Sequence, residues 1–96
     1  MSEKLDTALA KLNERLAGRS FEDTVKFDIE NAGVIRIVDG AATAEDGPAD
    51  CTVTASIDTF EEMFAGDLDP TAAFMTGKIK IDGDMGVAMK LGQILA

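Results

Sequence analysis

The chain contains no histidine, tryptophan or tyrosine, and its single cysteine is Cys51. Without histidine, neither a Ser/His/Asp triad nor a Cys/His dyad can be assembled within one chain. With one cysteine, a disulfide framework and a Cys/His zinc site are excluded as well. Positive charge is also scarce: nine Lys and Arg stand against eighteen Asp and Glu, for a formal net charge of −9. That balance argues against nonspecific attraction to nucleic acid or to anionic lipid. No stretch approaches the roughly 18 apolar residues of a membrane span. Residues 1–20, MSEKLDTALAKLNERLAGRS, lack the continuous apolar core of a signal peptide. A cytoplasmic protein is therefore expected.

What is present is ordinary globular composition, 46% hydrophobic and 28% charged over 96 residues. This predicts one domain, residues 1–96, with no room for a second lobe. Leu5, Leu9, Leu12 and Leu16 recur at helical spacing, with Ala8 on the same side, and predict a first helix over residues 3–17. Ser2 or Asp6 can cap its start, and Gly18 can end it. Val25, Phe27 and Ile29 alternate with charged residues, and after a turn at residues 31–33 a second strand runs from Val34 to Val38. Asp39 and Gly40 mark a break before a short edge strand around Ala41–Ala44. Cys51, Val53 and Ala55 then alternate with threonines in a further strand.

Ile57–Ala65 returns to helical spacing, with Asp58 and Glu61 reading as a capping box and Gly66 as its end. Asp69 followed by Pro70 predicts a short helix to Met75, closed by Gly77. Lys78–Asp82 alternate as a strand, and after Gly83 the side chain of Asp84 caps a last helix from Met85 to about Leu95. Strands with one wet face need helices on the other, so the fold class is α+β. The expected architecture is a two-layer, mostly antiparallel sheet of four or five strands, covered on one face by about four helices.

Few residues invite chemistry. Nine acids and no base lie between Arg36 and Lys78, which reads as a solvated acidic face. Asp82 and Asp84 flank Gly83, but the ligand count and spacing of a calcium loop are missing, so no metal is expected. The GDMG run at residues 83–86 is too short for a phosphate loop. Cys51 has no neighbouring base and reads as a small buried hydrophobe. Catalytic residues and cofactors are accordingly expected to be none.

The informative feature is apolar: Phe60, Met63, Phe64, Phe74, Met75, Met85 and Met89 crowd the second half of the chain. The last helix is apolar nearly all round. Met85, Ala88, Met89 and Gly92 form one side, and Val87, Leu91, Ile94 and Leu95 fall on others. Packing on one sheet buries one set and leaves the other needing a partner. A bound apolar ligand, a subunit interface and denser packing against other helices all satisfy that need.

Residues 69–91, DPTAAFMTGKIKIDGDMGVAMKL, resemble the signature stretch of the sterol carrier protein type 2 lipid-binding domain family. The preceding ADCTVTASIDTFEEMFAGDLDP, residues 49–70, is similar to the family's strand, helix and turn. The resemblance implies a noncatalytic carrier whose sheet and helices enclose an apolar tunnel for fatty acids, fatty acyl-CoA, phospholipids or sterols. The lining residues it implies are Phe60, Phe64, Phe74, Met75, Ile79, Ile81, Met85 and Met89. It also implies a lipid or fatty acyl partner, at most transient membrane contact, no nucleic acid, and a monomer or weak homodimer. Relatives often carry Gln just before the Gly-Lys pair of the strand, where Thr76 stands here. The chain ends Ile94, Leu95, Ala96 and not in a Ser-Lys-Leu peroxisomal address, so a free-standing bacterial, cytosolic protein is expected. The other reading is a protein interaction or dimerisation module built on the apolar last helix.

Overall fold

The structure, a computed structural model, describes residues 3–95. In chain order these form α1 (Glu3–Leu16), β1 (Val25–Ile29), β2 (Gly33–Val38), β3 (Ala41–Thr43) and β4 (Cys51–Ala55). There follow α2 (Ile57–Ala65), α3 (Pro70–Met75), β5 (Lys80–Gly83) and α4 (Met85–Leu95). The five strands make one sheet in the order β3-β2-β1-β4-β5. Neighbours are antiparallel except β1 and β4, which run parallel with Phe27 opposite Val53. The α+β architecture read from the sequence is the one observed, with five strands and four helices.

The alternation in sequence becomes the two faces of this sheet. Val25, Phe27, Ile29, Ile35, Ile37, Cys51, Val53 and Ala55 are buried, while Lys26, Asp28, Arg36, Thr52 and Thr54 between them are not. The helices cover the buried face: α1 lies against α2 and reaches β3, and α4 lies against β4 and β5. Leu5, Ala8, Leu12 and Leu16 point inward from α1, as their spacing requires. Phe27 at the centre of β1 meets Phe60 and Phe64 of α2 edge-on, with ring centroids 5.3 and 5.2 Å away. Phe60 and Phe64 stack on each other at 5.7 Å. Such pairs contribute about 0.5–1.5 kcal/mol each beyond the area they bury.

Turn chemistry and side-chain locks set the register. Asp39 and Gly40 both have positive φ, 52° and 80°, between the paired residues Val38 and Ala41. That is the two-residue hairpin geometry whose twist matches its strands, and it turns the expected break into a hairpin. The outer edge of β3 is closed by the amide of Asn13, which donates to the Ala42 carbonyl at 3.3 Å and accepts from its N–H at 2.9 Å. On the polar face, the loop over residues 44–50 is drawn across the sheet. Lys26 pairs with Asp46 at 2.9 Å, and Arg36 donates to the Pro48 carbonyl at 3.1 Å. A Cβ at position 47 would overlap the Arg36 guanidinium, which explains Gly47.

Three local readings are corrected. The strand expected over Lys78–Asp82 is displaced to Lys80–Gly83, because the N–H groups of Lys78 and Ile79 both turn back to the Ala73 carbonyl, at 2.8 and 3.4 Å. Asp58 and Glu61 do not form a capping box. The helix spans Ile57–Ala65 as read, but its cap is Ser56, two residues before Asp58, accepting from the Thr59 N–H at 3.3 Å, and Asp58 instead pairs with Lys4 at 3.2 Å. Asp6 lies inside α1 and caps nothing, while Ser2 lies outside the described residues.

Candidate functional site

The site is built where the last helix meets the edge of the sheet. The carboxylate of Asp84 accepts from the N–H groups of Gly86 and Val87 at 2.8 and 3.3 Å, fixing the start of α4. The Asp84 N–H in turn donates to the Asp50 carbonyl at 2.9 Å, tying that start to the entry of β4. From this anchor Val87, Leu91, Ile94 and Leu95 enter the core. Met85, Ala88, Met89 and Gly92, spaced three and four apart, face the other way.

Opposite that face stands α3, whose entry is set by Asp69 accepting from the Thr71 N–H at 3.3 Å and by Pro70 in the first turn. Pro70, Thr71 and Phe74 face Met85, Ala88, Met89 and Gly92 across a cleft of about 120 Å³, with Ile81 of β5 between them. A second hollow of about 270 Å³ continues from it, sharing Thr71, Met89 and Gly92 and ending at Asp69 and Gln93. Met89 therefore stands between the two. A Cβ at Gly92 would touch nothing within 4 Å, so the helix is thinnest where the two hollows meet. The walls are apolar yet unusually open to water: Phe74 is 43% exposed, Met85 46% and Met89 70%.

Of the eight lining residues inferred from sequence, the structure gathers Phe74, Ile81, Met85 and Met89 in this cleft. Phe60 and Phe64 are instead in the ring cluster with Phe27, and Ile79 is buried in the core. Met75 is not part of the lining and is 80% exposed. The surroundings form an open cleft, where an enclosed tunnel was expected. Pro70, Thr71, Ala88 and Gly92 complete the lining. Their signal was the helical period itself: residues 70, 71 and 74 share a face of α3, as 85, 88, 89 and 92 share one of α4. Thr76, for which the sequence resemblance implies Gln, caps α3 by donating its hydroxyl to the Ala72 carbonyl at 2.9 Å, and it is not in the cleft.

Other concavities have a different character. Two larger hollows, of about 390 and 550 Å³, share Arg19, Ser20, Phe21 and Glu22 and are rimmed by charge, with Lys90 held to Asp23 at 3.1 Å. That pairing holds the Lys90 ammonium above its ordinary range. Burial pushes the Cys51 thiol up, and the carboxylates of Asp84, Asp82 and Asp50 add to the shift. This is opposite to what an activated nucleophile requires. Among the described residues, no three His, Cys, Asp or Glu side chains are grouped to hold a metal ion, and no helix is long and apolar enough to cross a membrane.

Comparison with known proteins places this geometry. Over residues 2–96 the chain matches the SCP-2 sterol transfer family. It is 40% identical over 86 residues to hydroxysteroid dehydrogenase-like protein 2 of Danio rerio, covering 81% of this chain but only 21% of that protein. The chain thus spans about a fifth of that relative's length. Among solved structures, the sterol carrier protein domain 2 of Helicoverpa armigera is similar over 96% of this chain and 85% of that one, with 28% identity and a TM-score of 0.78. The sterol carrier protein 2 of Aedes aegypti, solved in complex with the C16 fatty acid palmitate, aligns over 100% of this chain and 97% of its own, with 26% identity and a TM-score of 0.77. With its sheet order, its helices and the apolar cleft between α3 and α4 in view, the chain belongs to the SCP-2 sterol transfer family.

Proposed function

We propose that residues 1–96 act as one noncatalytic, cytoplasmic carrier domain that holds a hydrophobic ligand in the cleft between α3, β5 and α4. The observation that carries this reading is the solvent-facing apolar wall made by Phe74, Met85 and Met89, which no other part of the described chain covers. Fatty acids are the ligand class best supported, since a similar protein was solved with palmitate. Fatty acyl-CoA, phospholipid and sterol-like lipids are the wider set. Phe74, Ile81, Met85 and Met89 make the first contacts, Phe60, Phe64 and Ile79 form the floor reached when the cleft deepens, and Met75 stays in solvent outside the lining.

The cleft of about 120 Å³ is smaller than the roughly 300–1,000 Å³ of ordinary ligand sites, so uptake of an acyl chain requires it to open. Unbranched Met85 and Met89 can change rotamer readily, and α4 carries Gly86 and Gly92, which weaken a helix locally. Each buried methylene contributes about 0.8 kcal/mol, offset in part by lost ligand freedom. Affinity then needs little polar chemistry, and selectivity is loose. Transient membrane contact serves loading, and the carrier works as a monomer or weak dimer.

Native mass spectra before and after mild organic extraction test the reading. A copurified acyl lipid near one per chain supports it. An empty chain that also refuses a fluorescent fatty acid overturns it and, if mass rises with concentration, favours a dimerisation module using the same apolar face.

A further inference from the structure

Among the described residues, the sulfur-bearing side chains are sorted by exposure. Met63 and Cys51 are each 1% exposed, whereas Met75 is 80%, Met89 70% and Met85 46% exposed. The sequence offers no tryptophan, tyrosine or histidine to be oxidised in their place. A thioether reacts wherever an oxidant can reach its sulfur, but a thiol must also ionise. Cys51 is both buried and pushed up in pKa, so it is shielded twice.

We propose that Met85 and Met89 form an oxidative modification site for hydrogen peroxide, and that its modification closes the cleft to apolar ligands. The proposal rests on the carrier reading of that cleft. In the reaction a sulfur lone pair attacks one peroxide oxygen; the S–O bond forms as the O–O bond breaks. Two electrons pass from sulfur to peroxide, and the proton of the attacked oxygen moves to the departing one, which leaves as water. The product is a sulfoxide, whose oxygen is a strong hydrogen-bond acceptor. Of the side chains lining the cleft only Thr71 has a hydroxyl to offer, and Pro70 lacks a backbone N–H. Two sulfoxides there would hold water that an acyl chain must displace, because an acceptor stripped of its partners is costly to bury.

The site also distinguishes the loaded from the empty carrier. A chain in the cleft covers Met85 and Met89 but leaves Met75 in solvent, since Met75 lies outside the lining. Oxidation therefore selects empty protein, and Met75 is a built-in reference.

The test treats the full chain with hydrogen peroxide, with and without bound palmitate, and reads each sulfur by peptide mass mapping. Uptake of a fluorescent fatty acid is measured on the same samples. At a dose that converts half of Met89, Met63 and Cys51 are expected to be at least about tenfold less oxidised and uptake to fall about twofold, and at full conversion of Met85 and Met89 uptake should fall about tenfold. Palmitate should slow Met85 and Met89 and leave Met75 unchanged. In the double variant Met85→Leu/Met89→Leu, peroxide should no longer lower uptake from that variant's own untreated level; in Met75→Leu it still should. Oxidation of Met63 or Cys51 in step with Met89, or uptake unchanged after Met85 and Met89 are converted, overturns the proposal. So does a continued loss in the double variant. A protein that takes up no fatty acid before peroxide is added refutes the carrier reading itself, an outcome visible separately from the oxidation map.

Discussion

The two ends of the helical layer use the same kinds of residue to opposite ends. At one, Phe60, Met63 and Phe64 of α2 are at most 1% exposed, and the two rings close on Phe27. At the other, Phe74, Met75, Met85 and Met89 are 43–80% exposed. The difference lies in what stands opposite. The nine-residue α2 is covered by the 14-residue α1, which adds four buried apolar side chains and is locked by Arg15 donating to the Phe64 carbonyl at 3.0 Å. The six-residue α3 has no second helix of that kind, and it faces the spare side of α4 across a gap. Hydrophobicity alone therefore does not separate core from site; the separation comes from whether another element is available to cover it.

The largest effect follows from exchanging phenylalanine for alanine at each end. Phe27→Ala removes the ring on which Phe60 and Phe64 converge and should destabilise the fold by about 3–5 kcal/mol, a large share of the total for a domain this size. Phe74→Ala should cost less than about 1 kcal/mol, because the ring is half-exposed already, yet weaken fatty acid uptake several-fold. Urea denaturation and uptake on both variants decide the matter. Equal stability losses would erase the contrast between core and cleft.

Next in size is a charge placed in the cleft. Met89→Glu sits on a 70% exposed position between the two hollows, so the chain should fold with nearly unchanged stability and lose fatty acid uptake by at least about tenfold. Uptake unaffected by the new carboxylate would remove Met89 from the site. Smaller again is Asp84→Ala, which strips the N-cap of α4 and should cost about 0.5–2 kcal/mol. Hydrogen exchange should show that loss first in α4, and Asp84→Asn should restore most of it. A loss spread evenly over the sheet would mean that Asp84 does not act as a helix cap.

Much of this contrast was legible in the sequence. The strand alternation, the Asp69-Pro70 and Asp84 caps and the two-sided α4 are local patterns, and local patterns survive into the structure. The partition of apolar residues between core and cleft was not legible. Phe60 and Phe74 look alike in a linear chain, and only the packing of α1 on α2 makes the first a core residue. The start of β5 was hidden for a related reason. Lys78 and Ile79 continue a perfect strand alternation, but the carbonyl of Ala73 takes their N–H groups, and no periodicity in side chains reveals where backbone hydrogen bonds go.

The polar face gives the smallest effect, and it has a definite sign. Asp46 is held below the ordinary aspartate range by its hydrogen bond from Lys26, by the Gly47 N–H, and by the charges of Lys26 and Arg36. A carboxylate lowered on folding adds stability that is present above its unfolded pKa of roughly 3.9 and is lost as pH falls through the lower folded value. Asp46→Asn keeps an acceptor for the Gly47 N–H at 2.7 Å while removing the charge that faces Lys26. The variant should thus be slightly less stable than the parent at pH 7, and the gap should close below about pH 4. Being solvent-exposed, the pair should also weaken in high salt. Urea midpoints at several pH values read this directly. A gap that persists at pH 2, where the Asp46 carboxylate is protonated, would mean that the side chain acts through its hydrogen bonds to Lys26 and Gly47 and not through its charge.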